Sequence, residues 1–155
     1  DTRLRKLAEG EFDAILLAVS GLNRLGFESV IRERLALDRF LPAPGQGALA
    51  LQTRADDAGA TWAAALNHAG TALAVEAERG AMTALEGSCR TAVGAHAEIA
   101  DGRLRLTAEM LAPDGSTRWR RAGEIAEPTA QTARALGLRL GAEVREAAGD
   151  QRVGI

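Results

Sequence analysis

The spacing of apolar positions changes near residue 66 and divides this sequence into two parts. In the first part, residues 13–19 and 48–53 form short, nearly continuous apolar runs bounded by polar or glycine-containing turns. Such runs are typical of strands buried on both faces of a parallel sheet. We therefore predict part of an α/β domain with a parallel sheet here, although two strands are too few to complete such a domain.

The remaining stretches of the first part are predicted to be short helices and a crossing. Residues 2–9 and 22–25 resemble short helices that end at Gly10 and Gly26, and the charged stretch 28–37 favours a third helix. Residues 41–47 contain two prolines and two glycines, which exclude regular structure and indicate a crossover or hinge.

The second part has the periodicity of a small α+β domain. A helical stripe beginning at residue 71 is followed by three stretches suited to strands, and a final helix follows these. The predicted strands are 93–99, 104–110 and about 118–125, and the last helix is 129–148. Asp101-Gly102 and Pro113-Asp114-Gly115 are the turn sequences expected between antiparallel strands. We predict a three-stranded antiparallel sheet covered by helices.

Composition and charge exclude several functional classes. The chain has 155 residues, of which 46% are hydrophobic and 26% charged, so it can bury a core of single-domain size. The formal net charge of −2 argues against a nucleic-acid partner bound through bulk positive charge. We expect no membrane association and no secretion signal, because no apolar run is long enough. A single cysteine suits a reducing compartment, and we predict a cytoplasmic protein.

Cys89 is the main candidate for chemistry. It lies in the sequence Gly87-Ser88-Cys89-Arg90, between a predicted helix and a predicted strand. A lone cysteine is most often a small core residue. However, a flexible glycine-containing approach and the adjacent Arg90 favour an accessible thiolate, which is the nucleophilic form. Neither His68 nor His96 has the spacing of a metal ligand or of a base for this thiol, so we predict no metal site.

Several motifs, in this order, resemble the porphobilinogen deaminases, a family also called hydroxymethylbilane synthases. The resemblance runs along nearly the whole chain. It rests on Thr2-Arg3-Leu4, residues 13–18 with Gly21-Leu22 and Arg24-Leu25-Gly26, residues 41–48, Ala77-Glu78-Arg79, residues 85–89 and Ala112-Pro113-Asp114-Gly115. Each motif is weak alone, but their combination is specific.

The resemblance implies a fold and an activity. Members of the family have two α/β domains hinged like periplasmic binding proteins, and a small α+β domain. The resemblance therefore implies that the first part of this chain is a partial, doubly wound α/β segment. By this match, residues 1–41 are the later part of domain 2, residues 42–64 return to domain 1, and residues 65–155 are domain 3. The implied enzyme is a monomeric transferase of tetrapyrrole and heme biosynthesis. It joins four porphobilinogen molecules into hydroxymethylbilane, with release of ammonia, on a covalently bound dipyrromethane cofactor.

The resemblance also assigns roles to four residues. Cys89 matches the cysteine that carries dipyrromethane through a thioether, and Arg3 and Arg24 match arginines that bind the acetate and propionate groups of the pyrroles. Gln46 is expected to line the same cleft. These assignments agree with the chemistry, because buried carboxylates need charged hydrogen-bond donors. All but one of the basic residues are arginines, although codon usage also accounts for that bias.

The sequence departs from the family pattern in several places. The Arg-Gly-Asn run expected before Asp1 and the domain with the catalytic aspartate are absent, so we expect an inactive fragment. Ser88, Thr91-Ala92 and Gln52 replace residues that are common in the family. Two alternatives stay open: a stand-alone anion-binding or regulatory module of the same fold, and an unrelated thiol-dependent enzyme.

Overall fold

The structure, a computed structural model, describes residues 2–57, 61–86 and 92–149. The chain separates into two compact units, residues 1–36 and residues 37–155, and each is described by itself. Among the described residues, no helix is both long enough and apolar enough to cross a membrane.

The first unit contains two short α-helices and one 3₁₀ turn. Helix α1 spans Thr2–Ala8, helix α2 spans Val19–Arg24, and the 3₁₀ turn spans Glu28–Val30. Gly10 and Gly26 follow the helices with φ angles of 78° and 73°. A left-handed conformation costs glycine little, so both residues end their helices as expected from the sequence.

Three elements predicted in the first part of the chain are not formed. Residues 13–18 and residues 48–53 form neither a strand nor a helix, so the doubly wound segment is not confirmed. Leu16 and Leu49 are 66% and 92% exposed, which shows that these apolar runs lack the cover that a buried strand requires. The helix predicted over 28–37 is wrong beyond the 3₁₀ turn, which ends at Val30. The consecutive β-branched residues Val30 and Ile31 disfavour its continuation as a helix.

The α+β part of the second unit confirms the prediction. After the short helix α3, Thr61–Ala65, come a longer helix, three strands and a final helix. These are α4, Ala69–Ala84; β1, Val93–Ala100; β2, Arg103–Leu111; β3, Arg118–Ala126; and α5, Ala130–Ala148. The sheet is antiparallel with the order β1-β2-β3.

The core lies between one face of the sheet and helices α4 and α5. Alternate residues of the central strand face the helices and are buried, namely Leu104, Leu106, Ala108 and Met110. They meet the predicted stripe of α5, which is Ala133, Leu136, Leu140 and Val144. The side-chain period of two along a strand therefore determines which face is covered.

Local hydrogen bonds fix the helix starts in this unit. His68 is the N-cap of α4, and its Nδ1 accepts a hydrogen bond of 3.2 Å from the Thr71 backbone N–H. Thr129 and Thr132 form a reciprocal capping box at the start of α5. His68 therefore has a structural role, because its ring satisfies a donor that the helix leaves unpaired.

Candidate functional site

The predicted site residues fall in different parts of the chain. Arg3 lies on α1 and Arg24 is the last residue of α2, and both are exposed in the first unit. Gln46 is exposed in a turn of the second unit. Cys89 belongs to residues 87–91, which lie outside the described part of the chain. The structure thus supplies geometry for three of the four predicted residues.

Gln46 is presented by a turn between two glycines. Gly45 and Gly47 have φ angles of 75° and 83°, in the left-handed region that favours glycine. The turn is closed by a 3.3 Å hydrogen bond from the Ala48 N–H to the Gly45 carbonyl. A Cβ at either glycine would meet no atom within 4 Å, so backbone conformation and not space requires glycine here.

A buried carboxylate connects this turn to the sheet. Glu78 lies in the middle of α4 and is only 6% exposed. Its Oε2 accepts a hydrogen bond of 2.6 Å from the Gly45 N–H, and its Oε1 accepts one of 2.7 Å from the Ala97 N–H. In the described sheet β1 is an edge strand, and the Ala97 N–H bonds to this carboxylate and not to another strand. Glu78 therefore satisfies two backbone donors from elements far apart in sequence.

Glu78 is a functional candidate that the sequence interpretation missed. In the sequence, Glu78 stands in the Ala77-Glu78-Arg79 motif, and a charged residue between other charged residues on a helix predicts a solvated position. A signal did exist, because Glu78, Ala81 and Leu85 have i, i+3, i+7 spacing and share the apolar stripe of α4. His96 lies nearby, with its Nδ1 3.8 Å from Glu78 Oε1, and its side chain is partly exposed.

Residues 37–45, called here the strap, are attached to the α+β part at several points. Leu41 is buried over Gly94 of β1, on the sheet face opposite the helices, where a Cβ on Gly94 would lie 3.0 Å from the Leu41 carbonyl oxygen. The Ala95 N–H donates a 3.0 Å hydrogen bond to the Pro42 carbonyl. The segment predicted as a crossover or hinge is therefore held along β1 over this length.

A second buried carboxylate supports the start of the strap. Glu109 of β2 is 5% exposed and pairs with Arg120 of β3, at 2.7 Å from Nε and 2.6 Å from Nη2. The remaining Arg120 nitrogen, Nη1, donates a 2.6 Å hydrogen bond to the Asp38 carbonyl. This pair resembles Glu78 in burial but contacts the opposite end of the strap.

The described residues on both sides of the Cys89 segment make contacts with the α+β part. On the helix side, Arg145 Nη1 lies 2.8 Å from Glu86 Oε1, and Glu86 has a φ of 53°. On the strand side, the Leu111 N–H donates a 2.9 Å hydrogen bond to the Ala92 carbonyl. Residues 87–91 thus connect the end of α4 to the start of β1.

Two protein-family models match the chain in sequence order. Residues 1–61 match "Porphobilinogen deaminase, dipyromethane cofactor binding domain", and residues 72–146 match "Porphobilinogen deaminase, C-terminal domain". The first match contains Arg3, Arg24 and Gln46, and the second contains Glu78 and Cys89.

Curated proteins named porphobilinogen deaminase are similar over nearly the whole chain. Identity is 57% over 154 residues to the protein of Caulobacter vibrioides (strain NA1000 / CB15N) and 54% over 155 residues to that of Phenylobacterium zucineum (strain HLK1). Each comparison covers 97% of this chain but 48% of the relative. The chain therefore spans about half the length of the curated relatives it matches. With two models of one family matched in order and more than half of the residues identical to those of its relatives, the chain belongs to the porphobilinogen deaminase family and corresponds to the C-terminal half of its members.

Proposed function

We propose that this chain is part of a porphobilinogen deaminase, a cytoplasmic and monomeric transferase that joins four porphobilinogen molecules into hydroxymethylbilane and releases ammonia. The proposal rests on the 57% identity, over 97% of this chain, to a protein named porphobilinogen deaminase. The single cysteine, which has no partner for an internal disulfide, is compatible with the reducing cytoplasm.

The donor set of the described residues fits a ligand with many carboxylates. Arg3 and Arg24 present exposed guanidinium groups, and Gln46 presents an amide. Guanidinium forks bind carboxylates through two charge-assisted hydrogen bonds and stay charged at any working pH. In the proposal, these three residues hold the acetate and propionate groups of dipyrromethane and of the growing pyrrole chain.

Cys89 is proposed as the attachment point of dipyrromethane. The bound group supplies the primer onto which pyrrole units are joined. Arg90, the next residue, favours the thiolate that forms a thioether bond. Contacts of Arg145 with Glu86 and of Leu111 with Ala92 support this role, because they hold the residues that precede and follow the segment with the cysteine.

We also propose the domain organisation of the complete protein. Residues 1–41 contribute to α/β domain 2, residues 42–64 return to α/β domain 1, and residues 65–155 form domain 3. Exposed apolar runs at 13–18 and 48–53 support this division. Such segments become strands when neighbours supply hydrogen-bond partners and cover. The interval between the two family matches, from residue 61 to residue 72, is compatible with a boundary near residue 65.

Intact mass spectrometry of the complete protein tests the proposal. The wild type is expected to exceed Cys89→Ser by two pyrrole units, beyond the exchange of sulfur for oxygen. Ehrlich's reagent is expected to give a pyrrole colour with the wild type alone. Ser88→Ala, at the neighbouring position, serves as the control and should keep the added mass. Equal masses for wild type and Cys89→Ser, after correction for the exchanged atom, contradict the proposal.

A further inference from the structure

The two carboxylate oxygens of Glu78 act on two different elements. One accepts from the open edge of β1 at Ala97 and the other from the turn at Gly45, and both distances are short. Hydrogen bonds to a carboxylate are about twice as strong as those between neutral groups. The burial of Glu78 makes both bonds costly to lose, because a desolvated N–H without an acceptor is unfavourable.

The anchored residue is adjacent to Gln46. Gly45 N–H is held by Glu78, and the Gly45 carbonyl accepts the bond that closes the turn. A shift of Gly45 therefore moves Gln46 directly, because only one peptide unit separates their Cα atoms. Gly45 and Gly47, both in the left-handed region, restrain the turn little by themselves, because glycine adopts many conformations. The turn therefore depends on its hydrogen bonds.

We propose that Glu78 is a positioning residue, which sets the orientation of Gln46 towards the carboxylates of the pyrrole chain. This inference rests on the proposed function, in which Gln46 binds those carboxylates. Glu78 itself touches no ligand in this role. Through its two hydrogen bonds, Glu78 fixes the turn relative to β1 and α4. The amide of Gln46 is therefore oriented before the ligand binds. A donor that is already oriented loses less entropy on binding.

A double-mutant cycle in the complete enzyme tests this coupling. Gln46→Ala is expected to lower kcat/KM for porphobilinogen roughly tenfold, as for the loss of one hydrogen bond to a charged group. Glu78→Gln keeps the side-chain shape but leaves one acceptor oxygen, and is expected to lower kcat/KM at least threefold. If Glu78 acts through Gln46, the double variant is expected to match Gln46→Ala within about twofold.

Glu109→Gln is the matched control. Glu109 is equally buried and also supports the strap, but it contacts Arg120 and not the Gly45 turn. If Glu109 acts independently of Gln46, the fold-decrease in kcat/KM of the Glu109→Gln, Gln46→Ala double variant is expected to equal the product of the two single decreases. If the effects of Glu78→Gln and Gln46→Ala multiply in the same way, Glu78 has a general structural role and the proposal is overturned.

Two further measurements test the same coupling. The first perturbs the turn without changing the buried carboxylate, and the second does not depend on catalysis. Gly45→Ala strains the turn at a positive φ and leaves the buried carboxylate in place, so it should also show no added effect beyond Gln46→Ala. In the 155-residue chain, Glu78→Gln should speed hydrogen exchange at the Gly45 amide at least tenfold, and Glu109→Gln should not. If hydrogen exchange at the Gly45 amide is unchanged in Glu78→Gln, Glu78 does not hold the turn and the proposal is overturned. Exchange at Gly45 can be faster in Glu78→Gln while Gln46→Ala keeps the wild-type kcat/KM. That result overturns the role of Gln46 in binding but leaves the proposed family activity unaffected.

Discussion

Gly80 of α4 faces Gly137 of α5, and there is no room for a side chain between them. A Cβ on Gly80 would lie 2.5 Å from the Arg134 carbonyl oxygen and 3.2 Å from the Gly137 Cα. The two helices therefore pack backbone against backbone at this point. The same packing sets the position of Glu78, two residues before Gly80 on α4, relative to the sheet.

Gly80→Ala is expected to destabilise the α+β part by about 1–3 kcal/mol, because the added methyl group forces the helices apart. Gly70→Ala, near the start of the same helix, is the control. There the nearest side-chain atom would be 3.4 Å away, and alanine favours the helix by up to about 1 kcal/mol. Chemical denaturation followed by circular dichroism measures both. Similar stabilities for the two variants would contradict the close packing.

Arg24→Leu is expected to stall chain elongation in the complete enzyme. Removal of one guanidinium from the proposed carboxylate site should cost roughly 1.5–3 kcal/mol of binding free energy. Partly extended enzyme–substrate complexes should then accumulate and be visible by intact mass. Arg32→Leu, at another exposed position of the same unit, is the control and should behave like the wild type. Identical behaviour of the two variants would exclude Arg24 from the site.

The 155 residues by themselves are expected not to convert porphobilinogen. The chain spans 48% of the length of its relatives. In the proposed function, the catalytic aspartate belongs to the part of the complete protein that these residues do not include. Stabilising a cationic pyrrole during loss of ammonia requires such a carboxylate. Uroporphyrin formation after oxidation, measured beside the complete enzyme, tests this. Turnover by the 155 residues near the rate of the complete enzyme would place the catalytic group within them.

The stability contributed by Glu124 is expected to depend on pH. Hydrogen bonds from Arg103 and Arg105 lower the pKa of Glu124 below its usual 4.5. A lowered folded-state pKa means that the carboxylate stabilises the fold above its ordinary pKa, and that this contribution is lost as the pH falls through the folded value. Glu124→Gln should therefore be less stable than wild type at about pH 6, with a gap that closes on acidification.

Denaturation midpoints between about pH 6 and pH 2 measure this gap. Because the three side chains are solvent-exposed, a high salt concentration should reduce it. Glu146→Gln, on the exposed side of α5, controls for the loss of one negative charge. A gap between wild type and Glu124→Gln that widens as the pH falls would reverse the expected sign.

Local sequence patterns were sufficient to predict the α+β part of this protein. Leu104, Leu106 and Met110 alternate with polar residues, which marks one buried face of a strand, and Asp101-Gly102 supplies the positive φ angles of the hairpin. The spacing of Leu136, Leu140 and Val144 likewise marks the buried stripe of α5. These signals are local, since each depends on residues a few positions apart. The order of the motifs along the chain likewise indicated the family without information from the structure.

The environment of Glu78 and the attachment of the strap, in contrast, depend on contacts between distant parts of the chain. Both depend on Gly45 and Ala97 reaching one side chain of α4 across 33 and 19 residues, which no local pattern encodes. The opposite holds for residues 13–18 and 48–53, whose apolar pattern favours strands that the described structure does not form. A strand exists only when a neighbour accepts its hydrogen bonds and covers its side chains, so its formation depends on residues outside the pattern.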